Sequence, residues 1–133
     1  MIDLTGIDTN VLIRYLIKDD PEQTGKAVSL FRSFSSTNKG FISLVVIVES
    51  IWVLESVYKQ DKTLTKEAIL KLLKSPRLLI QSAQEIESAL SRKEDCDDLA
   101  DAVIAETGIR FGCDHTVTFD KKASRLSGMR LLA

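Results

Sequence analysis

The stretch Gly6-Ile7-Asp8-Thr9-Asn10-Val11-Leu12 constrains the fold of this chain more than any other. It reads as a buried strand that breaks at a turn and opens a helix, with Asp8 at the break. Parallel α/β sheets place their ligand chemistry at the carboxyl ends of strands. An acid at that point is either a helix cap or a functional group. Three further acids, Glu49, Asp101 and Asp120, lie in apolar or strand-end settings.

The rest of the chain repeats the strand-to-helix pattern. Residues 2–7 form a short, mostly apolar strand, and residues 10–18 a helix with Val11, Leu12, Tyr15 and Leu16 on one face. Asp20-Pro21-Glu22-Gln23 is a helix start: Asp20 caps, Pro21 suits the first helical position and Gln23 completes a variant capping box. Ala27, Leu30, Phe31 and Phe34 supply that helix's apolar stripe, and residues 35–40 form a polar loop. Residues 41–58 are the most apolar stretch, read as a strand over 41–43 followed by a buried helix to about residue 58. A loop over 60–63 leads to an amphipathic helix over 65–74, ended by Pro76. Residues 77–81 read as a strand, Ser82-Ala83-Gln84-Glu85 as a capping box opening a helix to about residue 90, and residues 91–96 as a charged loop. A helix over 97–107 closes at Gly108. A strand over 115–119, a short helix over 121–126 and a last strand over 129–132 complete the chain. Strands alternating with helices imply an α/β domain with a mainly parallel sheet and helices on both faces.

A length of 133 residues fits one domain, residues 1–133, with no linker or repeat. No apolar run is long enough to span a membrane, and no charged N-terminal region precedes a secretory apolar core, so the expected compartment is cytoplasmic. The net charge of -1 provides no global basic field, so a nucleic-acid substrate requires local Lys and Arg patches or a metal. Cys96 and Cys113 lack metal-type spacing and read as free, partly buried thiols. His115 is the single histidine, which argues against a zinc site built on His and Cys.

At about 100° per residue, Asp97, Asp98, Asp101 and Ala105 share one arc of their helix, opposite Leu99, Ala100, Val103 and Ile104. Capping accounts for Asp97 and is one of two readings of Asp98. It explains Asp101 poorly, since Asp101 lies beyond the first turn among alanines. Glu49 falls within Val46-Ile47-Val48-Glu49-Ser50-Ile51-Trp52, a helix apolar enough to be buried nearly all round. A buried acid there must be paired, for instance with Arg14, or protonated, or bound to a cation. Asp120 follows the strand His115-Thr116-Val117-Thr118-Phe119 and, like Asp8, is a cap or a site residue. Two carboxylates about 4 Å apart repel by roughly 4 kcal/mol at an effective dielectric near 20. Clustered acids therefore share protons or bind a cation, and an all-oxygen set points to Mg²⁺ or Mn²⁺.

Periodicity does not bring these acids together. Gly6 to Tyr15 followed by Asp19-Asp20-Pro21, then Ile42-Ser43-Leu44-Val45-Val46-Ile47-Val48-Glu49, then Asp98-Leu99-Ala100-Asp101-Ala102-Val103-Ile104-Ala105, then Thr118-Phe119-Asp120-Lys121-Lys122-Ala123, occur in the order seen in PIN-domain proteins. The chain resembles in particular the VapC-type toxins of bacterial toxin–antitoxin pairs. That resemblance implies a three-layer α/β/α fold around a mainly parallel sheet of about five strands. It implies that Asp8, Glu49, Asp101 and Asp120 are the catalytic acids. Asp8, then Asp101, would be direct Mg²⁺ or Mn²⁺ ligands, with Asp120 and Asp98 as further metal-site acids and Glu49 on metal-bound water. Asn10 and Thr118 would be supporting residues. The implied activity is an endoribonuclease leaving 5′-phosphate and 3′-hydroxyl ends. The implied partners are RNA, a second copy in a homodimer, and a cognate antitoxin. The antitoxin's apolar helix would lie between residues 15–34 and 51–58, with a basic side chain entering the acidic pocket. The segment 1–5 is slightly longer than the family's usual start, and 63–90 carries no diagnostic motif.

Two other functions compete. An aspartyl-phosphate hydrolase resembling haloacid dehalogenases wants a second acid two residues after the nucleophile, where this chain has Asn10. A catalytically silent binding module would use the acids only to receive basic residues of a partner.

Overall fold

The computed structural model describes residues 2–93 and 98–132; Cys96 and Asp97 lie outside the described residues. The chain packs as two compact units, Met1–Ser82 and Ala83–Ala133. The class is α/β, and every strand pairing is parallel, as expected. Among the described residues, five strands divide into a three-stranded sheet and a two-stranded one. No helix among the described residues is long and apolar enough to cross a membrane.

In the first unit, β1 (Asp3–Gly6), β2 (Asn38–Ile42) and β3 (Leu78–Ile80) lie in the order β1-β2-β3, with Gly6 beside Phe41 and Ile42 beside Ile80. The helices are α1 (Thr9–Leu16), α2 (Pro21–Ser33), α3 (Leu44–Trp52) and α4 (Lys62–Lys74), and a π-helical turn, Val53–Val57, continues α3. The core takes Leu12 from α1, Phe31 from α2, Ile42 from β2, Ile47 and Ile51 from α3, and Ile69 from α4. β1 is exposed along its whole length rather than buried, because it is the edge strand of this sheet; burial begins at Ile7. The α1 stripe is Thr9, Leu12 and Ile13, shifted from the expected face. Tyr15 is only half-buried and stacks on Phe31, with centroids 3.8 Å apart.

Helix starts follow the sequence only in part. Asp20 accepts from the Gln23 amide, with Pro21 in the first turn, as expected. The reciprocal half of the capping box is missing, because the Gln23 side chain accepts from Arg14 Nε instead. Ser82, expected to cap the next helix, has φ +58, outside the extended geometry a cap adopts.

β2 begins at Asn38, three residues earlier than the apolar pattern suggests. Gly40 explains both the early start and the weak signal. A Cβ at Gly40 would lie 2.6 Å from Phe34, 2.8 Å from Ile7 and 2.9 Å from Leu78. The middle strand must be bare at this point for its neighbours to close over it, and a glycine in a polar run reads as loop. Beside Phe31 and Phe34 lies a groove of about 580 Å³. Its far wall is α4, through Leu64 and Leu72.

The second unit holds α5 (Ala83–Leu90), α6 (Leu99–Arg110), β4 (Thr116–Thr118), a 3-10 turn Ala123–Arg125 and β5 (Met129–Leu131). Ile86, Leu90, Leu99, Val103 and Leu126 form its core. Ala105, placed by the helical wheel among the acids, is buried, and Ile104 is exposed. α6 runs through Gly108 rather than stopping there. A Cβ at Gly108 would lie 2.5 Å from Thr116 Oγ1, so this glycine serves a close approach of helix to strand and not a helix end. Arg92 Nε donates to Glu106 Oε1 at 2.9 Å, and Arg92 Nη2 donates to the Ser127 carbonyl at 2.9 Å. The pair is nearly dry, with side chains 8% and 19% exposed. Removing one partner of such a pair costs about 3–5 kcal/mol, because a charge is left buried. Cys113 is free and exposed, not partly buried.

Two glycine substitutions test the packing at β2. Gly40→Ala should destabilise by about 1–3 kcal/mol, through overpacking. Gly25→Ala, within α2 where a Cβ meets nothing within 4 Å, should stabilise by about 0.5–1 kcal/mol. Thermal unfolding of the two variants checks both signs; equal midpoints would refute the close-packing account.

Candidate active site

The parallel register brings the ends of β1 and β2 side by side, and each feeds a helix. Two residues past β1, Asp8 adopts extended geometry and caps α1, accepting from the Thr9 amide at 2.9 Å. One residue past β2, Ser43 caps α3 and accepts from the Val46 amide at 3.2 Å. α3 then carries Glu49 back towards α1, where the Thr9 hydroxyl donates to Glu49 Oε1. Asp8, Asn10, Arg14, Glu49 and Tyr58 line one cavity of about 380 Å³ in this unit.

Glu49 differs from its expected setting. It is exposed, not buried, and it does not pair with Arg14. Val45, Glu49 and Trp52 recur at helical spacing on one face, and Val45 and Trp52 are 72% and 59% exposed. A strongly apolar helix therefore keeps an open face here, and counting apolar residues cannot distinguish such a face from a buried one.

Arg14 is held instead by three other side chains. Its Nε donates to Gln23 Oε1 at 2.6 Å, and its Nη1 donates to Asp19 Oδ1 at 3.2 Å and to the Tyr58 hydroxyl at 3.0 Å. The Tyr58 hydroxyl in turn donates to Asp19 Oδ2 at 3.3 Å. The hydrogen bond with Tyr58 pushes the Arg14 pKa above its ordinary value, so the guanidinium stays charged. Thr9 and Tyr58 are site residues that sequence reasoning missed. Nothing in the local pattern marks them, since their partners lie 40 and 44 residues away in the chain.

The second unit holds the other acids. Asp98 is the N-cap of α6, accepting from the amides of Ala100 at 2.9 Å and Asp101 at 3.3 Å. Asp120 accepts from the amides of Lys122 at 2.9 Å and Ala123 at 3.3 Å, and its own amide donates to Thr118 Oγ1 at 3.0 Å. The capping readings of Asp98 and Asp120 are therefore correct as far as they go. Asp101 is different. It is half-buried, and among the described residues no group donates a hydrogen bond to its carboxylate. Burial first, then the negative charges of Asp98 and Asp120, push its pKa upward.

The chemistry of these donors suits a hard divalent cation: every candidate ligand is a carboxylate oxygen, and burial beside Asp98 and Asp120 makes the Asp101 charge costly. Among the described residues, no three acids, histidines or cysteines stand close enough together to hold one ion as they are placed. Within the first unit the candidate acids are Asp8 and Glu49; within the second they are Asp98, Asp101 and Asp120.

A family model described as the PIN domain matches residues 7–129, a span that includes all five of these acids. Among solved structures, the chain is similar to Mycobacterium tuberculosis VapC20, described as a sarcin-ricin loop cleaving toxin. The identity is 19% over 92% of this chain and 93% of that one, with a TM-score of 0.46. Among curated proteins, none matches the sequence.

The raised pKa of Asp101 fixes the sign of a pH effect. The folded chain holds this proton more tightly than the unfolded chain does. The ionised carboxylate therefore costs stability as pH rises above the usual value of 3.8 and through the raised one. Asp101→Asn should raise the melting temperature at about pH 7 without divalent cations, and the advantage should shrink as pH falls towards 3.8. Saturating Mg²⁺ or Mn²⁺ should shrink it at neutral pH as well. A difference independent of pH between wild type and variant would remove the electrostatic account.

Proposed function

The chain belongs to the PIN-domain family, and from that premise we propose that it is a metal-dependent endoribonuclease, the toxin of a type II toxin–antitoxin pair. The observation that carries this reading is the cavity lined by Asp8, Asn10 and Glu49 at the carboxyl ends of parallel strands. In the second unit the reading is supported by Asp101, whose charge is made costly by burial and by Asp98 and Asp120. On this proposal Asp8, Asp98, Asp101 and Asp120 supply the carboxylates for Mg²⁺ or Mn²⁺, while Asn10 and Thr118 support them. When bound, the cation orients the scissile phosphate and lowers the pKa of its water.

This chain's own residues do the rest. The Thr9 hydroxyl fixes one oxygen of Glu49, which leaves the other to orient the attacking water and accept its proton. The Thr118 hydroxyl accepts from the Asp120 amide and sets the turn that aims that carboxylate. In-line attack forms the new P–O bond to water as the P–O3′ bond breaks, and the leaving 3′-oxygen takes a proton from solvent, giving a 5′-phosphate and a 3′-hydroxyl.

The proposal extends to partners. The groove beside Tyr15, Phe31 and Phe34, rimmed by Lys18, Arg32 and Lys71, fits an apolar helix of a cognate antitoxin with acidic flanks. A homodimer and a cytoplasmic site of action complete the reading, on the strength of the sequence motifs. Sizing of the purified chain by light scattering, with and without its co-expressed neighbour, checks both assemblies.

The decisive measurement is cleavage of total cellular RNA with Mg²⁺ or Mn²⁺ and with EDTA, with the cut ends mapped. Cleavage should require the metal. Asp8→Asn should lower it by more than the roughly 10–100-fold typical of losing an outer partner of a metal ligand. Glu22→Gln, an exposed acid on α2, should leave it unchanged. Full activity in well-folded Asp8→Asn, or in EDTA, would overturn the proposal.

A further inference from the structure

We propose that Arg14 is a substrate-binding residue whose guanidinium grips a backbone phosphate of the RNA beside Asp8 and Glu49. This assignment rests on the ribonuclease reading and adds to it the group that receives the nucleic-acid backbone. The cavity that holds Asp8 and Glu49 is lined by two carboxylates and one cation, Arg14. A phosphate entering there meets repulsion from both acids, and Arg14 is the one positively charged side chain in the lining to offset it. Arg14 also lines the adjoining cavity with Asn10 and Gln23, so it stands on the ridge between two hollows along α1.

Its hydrogen bonds are lopsided. Nε and Nη1 are tied to Gln23, Asp19 and Tyr58, while Nη2 makes no hydrogen bond among the described residues. A guanidinium has five N–H donors in one rigid plane; the anchors take three and leave the two on Nη2, held in a fixed direction. A charged donor of this kind makes a short, strong hydrogen bond to a phosphate oxygen.

Fold stability gives a weak account of the arrangement. The Arg14–Asp19 pair is 30% and 47% exposed, and pairs so open to water contribute little. What the three anchors do is hold a long side chain in one orientation beside the acids. Asp19 offsets part of the charge, and the salt-dependent pull of a phosphate on what remains is the measurable signature. Tyr58 is then a positioning residue, acting on the phosphate only through Arg14.

The test is binding of a fluorescein-labelled single-stranded RNA in EDTA across a salt series. Without metal, the protein's own cations carry the binding, and cleavage does not intrude. Each phosphate contact contributes about 0.7 to the slope of log affinity against log salt on a single strand. Arg14→Gln should weaken binding about tenfold and reduce the slope by about 0.7. Tyr58→Phe, which keeps the charge, should weaken binding with the slope unchanged. A folded Arg14→Gln with wild-type affinity, or with lower affinity and an unaltered slope, overturns the assignment. Should Arg14→Gln fail to fold, phenylglyoxal labelling of Arg14 in the wild-type chain, mapped by mass spectrometry, replaces it. Labelling should fall when RNA is bound, and equal labelling overturns the assignment. Cleavage by the wild-type chain in Mg²⁺ is scored separately. If that chain binds and cuts RNA while Arg14→Gln is unaltered, this assignment alone fails. If it neither binds nor cuts, both readings fail.

Discussion

The space above Gly40 is already full. Phe34, Ile7 and Leu78 come so close to this one backbone position in the middle strand that no side chain fits between them. Phe34 just past α2, Ile7 just past β1 and Leu78 of β3 meet over this point of β2, next to the pairing of Gly6 with Phe41. The pairing decides where the two strands release their chains, and so where Asp8 and Ser43 begin their helices. The meeting of Thr9 with Glu49 is the last step of this sequence. The first unit's acids are thus positioned by a packing constraint on a residue that carries no chemistry.

Capping and catalysis are usually offered as rival explanations of an acid at a helix start. Here they coincide. Asp8, Asp98 and Asp120 each accept backbone amides at a turn or helix start. Such a bond satisfies a backbone donor that a helix start leaves open. It also fixes the side chain without consuming another side chain to hold it. Asp101 lacks that support, and it is the acid whose charge is poorly tolerated.

Much of this architecture can be read from the sequence because it is written locally. The order of strands and helices, the start of α2 at Asp20-Pro21 and the parallel sense all follow from patterns a few residues long. The family was legible for a related reason: the resemblance rests on four short blocks in order, and the family's match spans the acids of all four. What escaped depends on partners distant in sequence. Gly40 and Gly108 looked like a loop and a helix stop because the atoms that crowd them, on Phe34, Leu78 and Thr116, lie elsewhere in the chain. Glu49 looked buried because its neighbours are apolar, yet which face of α3 stays open is decided by what packs against it. The hydroxyl of Thr9 and the phenol of Tyr58 gave no signal, since their meaning lies wholly in Glu49 and Arg14.

The turn that ends α3 works by arithmetic. In Val53–Val57 the helix is wound one residue too wide, and the Tyr58 amide reaches back five places to the Val53 carbonyl. A π turn of this kind is an α-helix with a single residue inserted. Each helical residue advances the face by about 100°. Removing any one residue from the turn would swing the Tyr58 ring by about that angle, away from Arg14, with every side chain in the ring still present. The tie between α1 and the end of α3 is therefore encoded as a length, and a comparison by residue type alone would not register its loss.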